Sequence, residues 1–207
     1  MSRCCTNFLG DYFAQLAQGI ARWNVLQPQI IRAIRESEPE HTIIAKGQTW
    51  DDIESLLGLD MRAHTDRNVV YNIHFYEPFL FSHQGATWAT ETVKPLVMIP
   101  YPSSPEAVTM LLNDYTGEVR DALYQYGQER WDAAKVRASI KRAADWAARH
   151  GVRLTANEFG AYALNAPSES RYALIRDMRV AFEEFNIGWA MWDFDGGFDL
   201  VDGSGFD

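Results

Sequence analysis

Cysteine is nearly absent from this chain of 207 residues: there are two, and they are adjacent, Cys4 and Cys5. Neighbouring cysteines rarely meet disulfide geometry, and no metal-ligand spacing accompanies them. A disulfide framework is therefore excluded, and the compartment stays open. Long apolar runs are also lacking. None approaches the roughly 20 residues that span a bilayer, so no membrane partner is expected. The opening Met-Ser-Arg-Cys-Cys-Thr-Asn-Phe has no sustained apolar core, and no signal peptide is read on this chain. Positive charge is scarce, with 19 Lys and Arg against 28 Asp and Glu and a formal net charge of -9. That balance argues against nucleic acid as the main partner and is neutral toward uncharged ligands such as sugars. There is no GxGxxG and no P-loop, which leaves a nucleotide-binding doubly wound sheet without support. No repeat, low-complexity tract or interdomain linker is found, and residues 1–207 are read as a single domain.

What the chain has is apolar and aromatic residues. Hydrophobic residues make up 47%, enough for one real core. The 7 Trp, 9 Tyr and 11 Phe suit sugar rings, but they also fill cores. Apolar runs alternate with amphipathic stretches. Gln27 to Ser37 reads as a helix with Pro28 near its start, His41 to Lys46 as a strand, and Asp51 to Leu57 as a short helix with an acidic first turn. Asn68 to His74 is the next strand, followed by a long Pro-rich loop from Glu77 to about Ser104. Two helices follow, Pro105 to Tyr126 and Trp131 to His150, the second stopped by Gly151. A strand from Val152 to Glu158, a helix from Ser170 to Phe185 and a strand from Ile187 to Trp192 complete the order. Strands separated by helices imply parallel βαβ units. The fold class is therefore α/β, with about four parallel strands and flanking helices.

Three clusters close apolar runs: His74-Phe-Tyr76, Glu158 at the end of Val152 to Glu158, and Trp189-Ala-Met-Trp192. A carboxylate inside a barrel core would be costly, whereas at the carboxyl end of a barrel strand it stands where catalysts belong. His74 and Tyr76 are two apart on a strand and so point to one side. Trp189 and Trp192 are three apart and are expected to face opposite ways, Trp189 toward the core. A Glu at a strand end can also simply cap the next turn, and an aromatic there can simply pack.

With these clusters on strand ends, the chain resembles the family 5 glycoside hydrolases, the cellulase family of retaining (β/α)8 TIM-barrel enzymes. The resemblance rests on Ile43-Ile-Ala-Lys-Gly-Gln-Thr-Trp50, Val69-Val-Tyr-Asn-Ile-His-Phe-Tyr76, Thr155-Ala-Asn-Glu-Phe-Gly160 and Gly188-Trp-Ala-Met-Trp192. In order, these look like strands five to eight of that barrel. The resemblance implies that Glu158 is the nucleophile and that His74 and Tyr76 contact it and the reacting sugar. It also implies that Trp192 is the platform for the innermost sugar. Trp50 and Trp88 are candidates for extending the cleft, and Asp193 for bonding sugar hydroxyls, though turn and packing roles fit these three as well. Asn157-Glu158 could itself be the acid/base dyad, but Phe159-Gly160 in place of proline favours the nucleophile.

The resemblance further implies a polysaccharide or oligosaccharide substrate and no metal or organic cofactor. The family's acid/base Asn-Glu-Pro has no counterpart: where it should fall, the chain reads Thr6-Asn-Phe-Leu-Gly10. Since a whole barrel takes about 250 residues, the expectation is the C-terminal half of one, inactive or nearly so alone. Its open edges would favour self-association. A non-catalytic sugar-binding half barrel and a gene fragment without function are the rival readings. Localisation stays open, although proteins of this type are often secreted.

Overall fold

A computed structural model describes residues 4–200, with side chains at residue 15 and from residue 17 onward. The Cys4-Cys5 side chains, those of Thr6 to Gly10, and the tail 203–207 thus lie outside the described residues. The elements run α1 (Cys4–Ser37), β1 (Ile43–Lys46), α2 (Ile53–Leu57), β2 (Val69–Phe75), α3 (Phe79–Ser82), α4 (Pro105–Val108), α5 (Gly117–Glu129), α6 (Ala133–His150), β3 (Arg153–Phe159), α7 (Ser168–Glu184) and β4 (Gly188–Trp189). The four strands form one sheet in the order β1-β2-β3-β4. Strands β1 and β2 are parallel, with Ile43 opposite Val69 and Lys46 opposite Asn72.

The chain divides into two compact units. One comprises the chain to His74 plus Ala143–Thr155, the other Phe75–Arg142 plus the residues from Ala156. In the first, β2 buries Val69, Tyr71 and Ile73 beside Leu56, and the Trp146 ring meets Tyr71 edge-on at 5.3 Å. Val69, Tyr71 and Ile73 share one strand face, and Asn72 on the other face is buried too, as expected of a parallel sheet covered by helices. In the second, Phe75 and Phe159 both meet Phe182 of α7 edge-on, at 6.3 and 5.1 Å. Fully burying a side chain of that size contributes about 1.5–3 kcal/mol.

Several boundaries differ from the sequence reading, for physical reasons. Helix α1 starts far ahead of Gln27, so Pro28 is internal. Polar residues dock the helix: Trp23 and Gln27 both donate to the Lys46 carbonyl, at 2.8 and 2.6 Å. Pro105 to Tyr126 is not one helix. It breaks into α4, a 3₁₀ turn at Leu111–Asn113 and α5, which opens on Gly117 at φ 58°. Helix α6 ends as expected at Gly151, φ 63°, with the Val152 N–H bonded to the Ala147 carbonyl at 3.1 Å.

The Pro-rich loop is packed rather than loose, with Phe81, Val93, Leu96, Ile99 and Tyr101 all buried. Its staple is the buried Gln84 amide. That group accepts from the Ile99 N–H at 2.8 Å and donates to the carbonyls of Phe81 and Ile99 at 3.0 and 3.2 Å. A buried amide so fully satisfied fixes one loop conformation. Among the described residues, no helix is long and apolar enough to cross a membrane.

Candidate active site

Tyr76 follows directly on β2, and Glu158 is the penultimate residue of β3. The Tyr76 hydroxyl donates to Glu158 Oε2 at 3.2 Å across 82 positions of sequence. Burial pushes the phenol well above its ordinary range, and the Glu158 charge adds to the shift. Tyr76 therefore stays protonated and serves the carboxylate as a donor.

The phenol is held from several sides. The Ser82 hydroxyl donates to the Tyr76 carbonyl at 2.6 Å. The rings of His83 and Phe198 stand edge-on to it, at 5.1 and 5.9 Å. Phe198 in turn contacts Trp88 and Tyr162, at 6.4 and 5.6 Å. Trp88 is thus joined to the Tyr76 neighbourhood through Phe198 while leaving much of its indole exposed.

His83 caps the carboxyl end of α3. Its ring is stacked on Phe79 at 4.2 Å, and Nδ1 lies 2.9 Å from the Ser82 hydroxyl. Burial lowers its pKa from 6.5 to about 4. Between those values the unfolded chain binds the proton and the folded one does not, so stability falls as pH drops below 6.5 and the loss is complete near 4. We expect about 2 kcal/mol lost by about pH 5 on this account. Urea unfolding at neutral and acid pH should find this dependence flattened in His83→Phe. An equal acid slope in that variant would refute the assignment.

His74 closes the first unit's part of β2 beside a residue the sequence reading passed over. Asp51 is only 3% exposed and, like Trp50, has a left-handed backbone, with φ of 59° and 47° respectively. Its carboxylate accepts from the Asn72 amide at 2.9 Å and lies 3.5 Å from His74 Nε2. Lys46 Nζ stands 3.0 Å from its other oxygen, a charge contact without hydrogen-bond alignment. The Asp51 carbonyl also accepts the His74 N–H at 2.9 Å. The available signal was the doublet Asp51-Asp52. Only Asp52 caps α2, by accepting the Ser55 N–H at 2.6 Å, which leaves its neighbour to turn inward. Trp50, beside it, is almost wholly exposed.

The last strand is shorter than expected, since β4 is only Gly188–Trp189. Beyond it the Ala190 and Trp192 N–H groups still bond to Ala156 and Phe159 of β3, at 2.9 and 3.0 Å. Gly160 makes this approach possible: a Cβ there would stand 2.4 Å from the Trp192 carbonyl oxygen. Trp192 is 47% exposed. Trp189, expected in the core, is 41% exposed, with one edge against Phe159 at 5.6 Å. Asp193 folds back to accept the Phe198 N–H at 3.2 Å. This is the turn role that its position allowed.

An apolar strand ending in a carboxylate, with a phenol donating to it, in a sheet of parallel strands, now stands beside the sequence resemblance. Residues 13–197 match the family described as cellulase (glycosyl hydrolase family 5). The chain belongs to that family. Among curated family 5 relatives, it is 30% identical over 188 residues to Endoglucanase 3 of Fibrobacter succinogenes, covering 88% of this chain and 28% of that protein. It is 27% identical to Endoglucanase C of Acetivibrio thermocellus, covering 84% and 49% respectively.

Solved structures agree on the fold. A structure titled endoglucanase superposes with TM-score 0.69 at 29% identity, covering 89% of this chain and 50% of that one. A hyperthermophilic endo-beta-1,4-glucanase in complex with substrate gives 0.68 at 27%, covering 90% and 50%. This family 5 chain is therefore of TIM-barrel type, and it spans half or less of the length of these relatives.

Proposed function

We propose that the chain is the C-terminal half of a retaining family 5 barrel, and that the parent enzyme hydrolyses β-linked glucan within the chain, as the relatives' name endoglucanase implies. The observation that carries the reading is the Tyr76 hydroxyl bonded to Glu158 Oε2 at 3.2 Å, at the carboxyl ends of two strands. Retaining hydrolysis needs a carboxylate to attack the anomeric carbon and a second carboxyl about 5–5.5 Å away to protonate the leaving oxygen and then activate water. Glu158 takes the first role and Tyr76 orients it. His74, steadied by Asp51, belongs to the same strand end, and Trp192 offers an exposed indole face for stacking. Trp88, Trp50 and Asp193 are more remote sugar contacts.

No Asn-Glu-Pro triplet occurs in the 207 residues. General acid–base help is worth about 10²–10⁴-fold, so the chain alone should hydrolyse a soluble cellulose derivative at or near the background rate. Reducing-sugar release by the purified chain and by Glu158→Gln tests this. Robust turnover that the substitution abolishes would mean that a working acid is present after all. Titration calorimetry with short β-glucans separates the rival reading, a sugar-binding half barrel, whose mark is binding without hydrolysis.

A further inference from the structure

Phe198 lies in the segment after β4, yet it is only 5% exposed. The groups around it all belong to one unit of the chain, the unit that holds Tyr76 and Glu158. Its ring stands edge-on to Tyr76 at 5.9 Å and to His83 at 5.6 Å, and tilts against Tyr162 at 5.6 Å. It also abuts the backbone just past Glu158, since a Cβ on Gly160 would stand 3.3 Å from Phe198 Cδ1. One ring thus touches both the phenol and the chain that carries the carboxylate the phenol bonds.

A buried ring among rings can simply fill space. The backbone of Phe198 argues for more. Its N–H donates to the Asp193 carboxylate at 3.2 Å, and its carbonyl accepts from Arg171 at 2.7 Å. The preceding Gly197 has φ 95°, and its carbonyl accepts the Ala163 N–H at 2.7 Å. A Cβ there would lie 2.7 Å from the Tyr162 ring, so both conformation and space call for glycine. A residue held at both backbone groups keeps its ring in one place. The surrounding groups are tied as well: the Tyr162 N–H donates to the Ser82 carbonyl at 2.8 Å, and the Ser82 hydroxyl donates to that of Tyr76. Such fixity matters at the Tyr76–Glu158 bond. At 3.2 Å it is longer than the roughly 2.7–2.8 Å usual for O–H···O, so a small rotation of the phenol would break it.

We propose that Phe198 is a positioning residue of the candidate site: its ring fixes the Tyr76 phenol on the Glu158 carboxylate. The consequence for catalysis rests on the proposed role of Glu158 as nucleophile, whereas the hold on the phenol does not.

The first arm of the test needs no reaction. It is an NMR titration of the chain with tyrosine isotope-labelled at Cζ, the Tyr76 signal being the one lost in Tyr76→Phe. Burial raises the pKa of Tyr76, Tyr101 and Tyr126 alike, so all three should resist ionisation past the ordinary phenol value of about 10. In Phe198→Leu, which keeps an apolar filling, Tyr76 alone should fall back by about one unit or more as its hydroxyl leaves Glu158 and meets water. Tyr101 and Tyr126, bonded to Asp177 and to the Pro100 carbonyl, belong to the same unit and should not move. Three tyrosines shifting together would mean general loosening, and an unmoved Tyr76 would mean that another group holds it. Either result would overturn the proposal. The second arm follows labelling of Glu158 by a fluorinated dinitrophenyl cellobioside, which traps the glycosyl-enzyme. Phe198→Leu should slow labelling about threefold to tenfold, the scale of one lost aromatic edge contact. In the Tyr76→Phe background it should slow labelling no further, because the hydroxyl that it positions is already gone. Equal slowing in both backgrounds would make Phe198 merely structural and would also overturn the proposal. No labelling of the parent chain would count against the proposed hydrolytic role, and the tyrosine titration would still decide about Phe198. Should Phe198→Leu fail to fold, Phe198→Met takes its place with the same expected shifts.

Discussion

Treated with a dinitrophenyl cellobioside that carries fluorine next to the anomeric carbon, the chain is expected to be labelled once, on Glu158. Dinitrophenolate is a weakly basic leaving group that departs without a proton, so labelling by this substrate needs no acid/base carboxyl. The fluorine destabilises the cationic transition states and lets the glycosyl-enzyme accumulate. Mass spectrometry of the digested protein then reads the position. Glu158→Gln should lose labelling by about a thousandfold or more, because a carboxamide is no nucleophile and only binding and electrostatic help remain. Tyr76→Phe keeps the ring between His83 and Phe198 but removes the hydroxyl donated to Glu158. Losing a hydrogen bond to a charged group costs about 1.5–3 kcal/mol, so labelling should slow about 10–100-fold. A label on Glu77, Asp193 or any other carboxylate would remove Glu158 from the nucleophile's role.

Arg171→Met should be the most damaging single substitution away from that carboxylate. Arg171 lies on α7 and is only 4% exposed. Its Nε donates to the Ala161 carbonyl and its Nη2 to that of Phe198, each at 2.7 Å, and Nη2 also bonds the carbonyl of Asp199. Burial lowers its pKa, but a guanidinium remains charged near neutrality. One side chain therefore ties α7 to the segment that follows Glu158 and to the loop carrying Phe198. Met fills much of the volume but leaves the three carbonyls without that donor. Unsatisfied buried groups cost about 1–3 kcal/mol each, and partial relaxation leaves an expected loss of about 3–5 kcal/mol. Since Phe198 packs against Tyr76, His83 and Trp88, near-ultraviolet circular dichroism should fade along with the urea midpoint. Arg171→Lys is not expected to rescue, because a single ammonium cannot span the same fork. A midpoint within experimental error of the parent would refute the account.

Strand β2 was legible because a buried parallel strand writes a nearly continuous apolar run, and the stop of α6 because Gly151 is needed where φ is positive. The candidate pair Tyr76 and Glu158 was legible because each stands at the carboxyl end of a strand-like stretch. Asp51 and His83 were not. Nothing in composition says which of two adjacent aspartates caps a helix, or that a loop histidine will be buried among rings. The long segment after Glu77 read only as a Pro-rich loop, because its packing is tied by an amide, Gln84, that bonds the chain fifteen residues away. The end of β4 was misjudged for a similar reason. Trp192 looks like strand by its apolar neighbours, yet its backbone answers to Phe159 and to the missing side chain of Gly160.

By itself, then, the sequence determined the alternation of strands and helices, the acidic character, and which side chains end the apolar runs. These depend on local periodicity and residue type, which each stretch carries on its own. Only the tertiary structure decided that Tyr76 donates to Glu158 and that Arg171 pins the Phe198 loop. Those are meetings between residues far apart along the chain. Distance and direction, which no residue type encodes, decide whether such groups bond or repel.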